Sequence, residues 1–222
     1  MIVCTLCVGD YFVKQNYEQI NEQGKIHDIH VLTDKPEYFQ NHINIYHYNR
    51  NIFSYYEKIT FCLDIISKLK KRVLYCDADW VYSLKNNLEL DEESFYYSAG
   101  WTHDETAFSF LSEFQRNEVY NKFNNSGYNI KDLLYYHEAL FSFPYSDNID
   151  VVIDENKKLQ VVAENIFNSE LVKNSPDRIK KYGDTGIGYG EGFSISYLVE
   201  NVIKSQKIFK NRFWFRNKDS II

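Results

Sequence analysis

Tyr75-Cys76-Asp77-Ala78-Asp79-Trp80 follows an amphipathic stretch and the apolar pair Val73-Leu74. Val73 to Cys76 reads as a short buried strand, and the two carboxylates stand where that strand should surface. Two carboxylates at the carboxyl end of a strand in an open α/β sheet are well placed to hold a hard divalent cation. In extended backbone, residues two apart point to the same side, so Asp77 and Asp79 can address one site. Inside an apolar layer they require a metal, N–H donors or water. The plain alternative is a strand-end turn with both Asp solvated, since Asp favours turns.

Working outward, Phe53, Tyr56, Ile59, Leu63, Ile66 and Leu69 recur at helical spacing before the motif. The basic run Lys68 to Arg72 closes that helix, where cations face the negative end of the dipole and solvated capping is the default reading. Nearer the start, Met1 to Val8 is an apolar strand that ends in Gly9-Asp10, where the chain can turn sharply. A helix is predicted over Tyr11 to Glu22 with Gly24 as its stop. Ile29 to Leu32 and Ile43 to Tyr48 are further strands, the first ending in Thr33-Asp34 before Pro36. The order β-α-β-β-α-β predicts an α/β fold: a Rossmann-like nucleotide half with a mixed, mostly parallel sheet flanked by helices. The loops after Val8 and Leu32 and the Asp pair then emerge at one sheet edge.

Beyond it, strands are predicted over Phe95 to Ser98 and Ala139 to Phe143, the latter preceded by His137-Glu138. Helices are predicted over Thr106 to Phe123, Asn156 to Leu171 and Phe193 to Val202. Tyr182 to Gly192 is rich in glycine, as a mobile segment or one that approaches a ligand closely must be. With no long linker, the chain reads as one domain: 1–84 nucleotide-binding half, 85–203 acceptor half, 204–222 basic aromatic tail.

A net charge of -6 argues against a general polyanion binder, so nucleic acid is not an expected partner. No stretch approaches a membrane span and the start lacks a basic n-region, which gives a cytosolic expectation. The 19 Tyr and 16 Phe suit core packing and also stacking on sugar or base rings. Cys4 and Cys7 lie three apart on a strand and face opposite sides, so they are poor partners for one zinc. Reduced core thiols are the expectation for all four cysteines.

Thr5-Leu6-Cys7-Val8-Gly9-Asp10-Tyr11, Val31-Leu32-Thr33-Asp34 and Leu74-Tyr75-Cys76-Asp77-Ala78-Asp79 together resemble the nucleotide-diphospho-sugar glycosyltransferases of the GT-A fold. The resemblance is best over Met1 to about Leu84, and beyond that rests on the order of elements. It implies a metal-dependent transfer of sugar from a nucleotide sugar, in the first instance a UDP-sugar, to a carbohydrate or lipid-linked acceptor. Asp77 and Asp79 would hold Mn²⁺ or Mg²⁺ against the donor phosphates. Val8, Gly9 and Tyr11 would line the nucleoside pocket, with Tyr11 either stacking on the base or serving as a core aromatic. Asp34 would hydrogen-bond the nucleoside or cap the turn before Pro36. Lys58 would reach the donor or lie solvated beside the apolar stripe.

On the acceptor side, Glu191 and then Glu138 are the candidates for a general base or acceptor ligand; each could equally be a surface or capping acid. In the tail, Lys207, Lys210 and Arg212 would meet the diphosphate if the segment folds over the donor. Otherwise the tail packs by its aromatics with solvated charges, or touches an anionic membrane surface. Two readings compete with the transferase. One is a haloacid-dehalogenase-type phosphatase with Asp77 as nucleophile and Asp79 as acid/base; the other is a non-catalytic module that binds a glycan or a partner.

Overall fold

In the computed structural model the described residues are 2–50, 54–84, 88, 90–98, 100–101, 111–136, 138–173 and 191–208. The strands are β1 (Ile2–Leu6), β2 (Asp28–Thr33), β3 (Asn44–His47), β4 (Val73–Cys76), β5 (Phe95–Tyr97), β6 (Gly100–Trp101), β7 (Tyr135–Tyr136), β8 (Leu140–Phe143) and β9 (Gln206–Ile208). The helices are α1 (Asp10–Gln23), α2 (Glu57–Leu69), α3 (Glu113–Asn125), α4 (Ile149–Phe167), α5 (Glu170–Lys173) and α6 (Glu191–Tyr197), which continues as a π turn over Leu198–Ile203. Seven strands form one sheet in the order β3-β2-β1-β4-β8-β5-β9, and β6 pairs with β7 in a separate small ladder. β8 is antiparallel to both its neighbours, β4 and β5, while every other pair in the large sheet is parallel. The architecture is therefore an α/β fold on a mixed, mostly parallel sheet.

Side-chain alternation divides the core between the two faces of that sheet. Val3, Ile29, Val31, Leu74 and Cys76 pack with Val13 and Ile20 of α1. Their neighbours Ile2, Cys4, Leu6, Val73 and Tyr75 pack with Ile59, Cys62 and Ile66 of α2. Strands buried on both faces read as continuous apolar runs, which is why β1 and β4 were legible. Cys4 and Cys7 fall in opposite cores, and all four cysteines are free and buried. A third cluster joins α3, α4 and Phe193 of α6.

Several boundaries differ from the sequence expectation. α3 begins at Glu113, because Ser112 and Gln115 form a reciprocal capping box; residues 102–110 lie outside the described set. α4 begins at Ile149 rather than Asn156, since Ile149 and Val152 continue the buried stripe of Leu159, Ala163 and Ile166. The start of the basic tail is strand β9, which pairs with β5 at the sheet edge.

Arg72, read as a solvated cap, is instead half-buried. Its guanidinium donates to Ser142 Oγ at 2.9 Å, to the Ser94 carbonyl at 2.8 Å and to the Asp91 carbonyl, and lies over the Tyr96 ring. Among the described residues no helix is long and apolar enough to cross a membrane.

Candidate functional site

The chain runs from β1 outward through β2 to β3, then returns to place β4 on the other side of β1. That reversal opens a crevice beyond the carboxyl ends of β1 and β4, where open α/β sheets take their ligands. Leu6 of β1 and Val8 just after it, Phe12 from α1, Tyr55 just before α2 and Lys58 in its first turn, Tyr75 of β4, and Asp77, Ala78 and Asp79 just after that strand line a cleft there. Its volume is about 160 Å³. Pockets for drug-sized ligands run from roughly 300 to 1,000 Å³, so the described walls enclose less than a whole ligand of that size. A larger hollow of about 460 Å³ runs past Tyr46, Asp64 and Lys68 along β3 and α2, and holds none of the candidate catalytic, nucleotide or metal residues.

Asp77 is pinned by its backbone. Its N–H donates to the Ala139 carbonyl at 2.8 Å, and its carbonyl accepts from Trp80 N–H at 2.8 Å to open a 3₁₀ turn over Ala78–Ser83. The strand ends at Cys76, so the extended-backbone argument for a shared side does not apply beyond it. Both carboxylates line the cleft because the turn holds them there, with Ala78 buried and Asp79 exposed.

Asp77 Oδ1 accepts from Tyr75 OH at 2.8 Å and pairs with Lys58 Nζ at 2.9 Å. Lys58 is not solvated: its side chain is 5% exposed, and its ammonium lies 5.1 Å from the Tyr55 ring centre and 5.5 Å from that of Tyr75. Burial, and then the Asp77 charge, pushes the Tyr75 hydroxyl well above its usual range, so it stays a donor. Burial and the two Asp charges likewise keep the Cys76 thiol protonated.

Gly9 turns the chain from β1 into α1 at φ 90° and ψ 141°, a conformation open almost only to glycine. Its N–H donates to Asp34 Oδ1 at 2.9 Å, while Lys35 pairs with Asp10 at 3.0 Å. Asp34 therefore braces the β1–α1 turn rather than the turn before Pro36. Tyr11 is not a core aromatic: it is 67% exposed and meets Phe12 edge to face.

The antiparallel β4–β8 register sets Cys76 against Leu140, so Glu138 lies next to the residue that accepts the Asp77 N–H. Glu191 begins α6, and its side chain lies outside the described set, as do His137, residues 182–190, Lys210 and Arg212. Lys207 is not brought to the cleft. It pairs at 2.8 Å with Oδ2 of Asp91, the same residue whose carbonyl accepts from Arg72 before β4, at the end of the sheet opposite Asp77.

The sequence reading missed Phe12, Tyr55 and Tyr75 as cleft residues. Tyr75 had a signal, since it sits two residues before Asp77 on a strand; Phe12 and Tyr55 had none beyond being aromatic. The cleft thus combines an ammonium, two carboxylates and aromatic faces at a switch point of the sheet. No family model matches the chain, and no curated protein matches it in sequence.

Proposed function

We propose that this chain is a metal-dependent glycosyltransferase that moves a sugar from a nucleotide-diphospho-sugar, in the first instance a UDP-sugar, to a hydroxyl of a glycan or lipid-linked acceptor. The observation that carries this reading is the meeting of Lys58, Asp77 and Asp79 in one cleft at the switch point.

Among the described residues no three His, Cys, Asp or Glu come together as a free-standing metal site. A Mg²⁺ that serves phosphates takes only one or two carboxylates and completes its shell with phosphate oxygens and water. Asp77 and Asp79 fit that smaller donor set. A cation held by them would supply Lewis-acid stabilisation of the departing nucleoside diphosphate. Lys58 offers a point charge to the phosphates, and the half-exposed ring of Phe12 gives an apolar wall on which a base or sugar face can lie. Glu138 and Glu191 are the acceptor-side candidates, one as general base for the attacking hydroxyl.

A thermal-shift panel of UDP, GDP, CDP and their sugars, with and without Mn²⁺, tests the proposal. A ligand specific for the native state at a hundred times its Kd adds about 2.7 kcal/mol. A Mn²⁺-dependent shift with one nucleotide, followed by turnover of its sugar, is the expected result. Phosphate release from simple phosphoesters without donor turnover would instead support the phosphatase, and no turnover of either would leave a binding module.

A further inference from the structure

Among the described residues that line the cleft, the charged groups are Lys58, Asp77 and Asp79, which together leave one net negative charge. A divalent cation arriving alone would bind Asp77 while the Lys58 ammonium stands 2.9 Å from one of its oxygens. Lys58 has little room to withdraw, because its stem is buried and its head lies over the Tyr55 and Tyr75 rings. Like charges this close, away from bulk water, repel strongly. A nucleoside diphosphate reverses the balance: it brings at least two negative charges, gives Lys58 a further acceptor and supplies oxygens to the metal. Tyr75 OH, which donates to the same Asp77 oxygen, keeps the carboxylate oriented when phosphate draws on the Lys58 charge.

We propose that Lys58 makes cation binding at Asp77 and Asp79 conditional on a diphosphate, so that the site admits metal and nucleoside diphosphate together and holds the metal alone only weakly. The inference rests on the transferase reading for its two occupants. Asp77 is then never an open metal ligand in the resting protein, and on loading Lys58 shares its charge between Asp77 and the phosphate.

Protein-bound Mn²⁺, followed by electron paramagnetic resonance and corrected for Mn²⁺–UDP in solution, is the direct test. Saturating UDP, with GDP and CDP as alternative probes, should tighten Mn²⁺ binding to the wild type by about tenfold or more, within the usual range of site-to-site coupling. Lys58→Met should bind Mn²⁺ alone about tenfold more tightly than the wild type and lose most of the coupling, while Lys58→Arg keeps it. Lys58→Gln, a second neutral variant, guards against a folding defect in Lys58→Met. Equal affinity of wild type and neutral variants for Mn²⁺ alone overturns the inference, as does a wild-type affinity indifferent to every diphosphate. If no protein binds Mn²⁺ with or without any nucleotide, the transferase reading fails as well. If donors bind with Mn²⁺ and Lys58→Met behaves as wild type, only the conditional role of Lys58 falls.

Discussion

Lys58 Nζ lies 2.9 Å from Asp77 Oδ1, and this pair makes the two acids of the motif unequal. Asp77 is 27% exposed and compensates a buried ammonium, whereas Asp79 lies exposed in the following turn. Asp77→Ala removes the carboxylate that lies 2.9 Å from a buried ammonium and is expected to destabilise the fold by about 3 kcal/mol. Asp79→Ala, at an exposed position, should stay within about 0.5 kcal/mol of wild type yet abolish Mn²⁺-dependent donor binding. Urea unfolding together with donor titration separates the two. Equal stability losses, or unaltered donor turnover in Asp79→Ala, would remove the division of labour.

Gly9 carries a different constraint. A Cβ at Gly9 would meet nothing within 4 Å, so only its φ of +90° resists substitution. Gly9→Ala should cost about 1–3 kcal/mol through backbone strain alone. Asp34→Ala, which leaves the Gly9 N–H without its acceptor, should cost about 1 kcal/mol. Both should weaken nucleotide binding through the displaced start of α1, and Asp34→Asn, which keeps an acceptor oxygen, should restore most of it. Chemical denaturation and nucleotide titration of the three variants check this; a fully stable Gly9→Ala would show that the turn is not held at positive φ.

β1, β2, β4 and the helix before the motif were legible because burial on both faces writes apolar runs and α2 writes a 3.6-residue stripe, whereas β3, at the sheet edge, is only partly buried. The location of Asp77 and Asp79 followed from that order of elements. Lys58 was harder, since a lysine reads as solvated by default. Its spacing did contain the answer: Cys62 and Ile65 lie four and seven residues on, along the buried face of α2. Pairings across the chain left no local trace. Lys207 with Asp91, Arg72 with the Ser94 carbonyl, and β9 at the sheet edge all depend on partners far apart in sequence.

Arg72 joins three elements ahead of β4. Its planar fork serves Ser142 on β8 and the carbonyls of Asp91 and Ser94 before β5, and its face stacks on Tyr96. A lysine ammonium cannot reproduce that fork or lie flat on the ring. Arg72→Lys is therefore expected to cost about 1–3 kcal/mol, and hydrogen exchange should quicken first in β5 and β8. A Lys variant as stable as wild type would show that the guanidinium geometry is immaterial.

Asp91 gives the fold a measurable acid limit. Its carboxylate accepts from Lys207 and Tyr96 OH and from the Ser94 and Glu93 N–H groups, which together hold its pKa well below the usual carboxylate range. A carboxyl depressed on folding contributes stability that is complete above its unfolded pKa, about 3.9, and is lost as pH falls toward the lowered folded value. Lys207, raised by the same contact, stays charged throughout this window. The stability difference between wild type and Asp91→Asn should therefore be flat from pH 8 to about 5 and shrink steadily below about pH 4. Thermal melts of both proteins from pH 7 to about pH 2.5 read it directly. A difference that stays constant down to the lowest pH would mean that the Lys207 and Tyr96 contacts do not favour the charged form of Asp91, and that the clasp between β9 and the segment before β5 is not electrostatic.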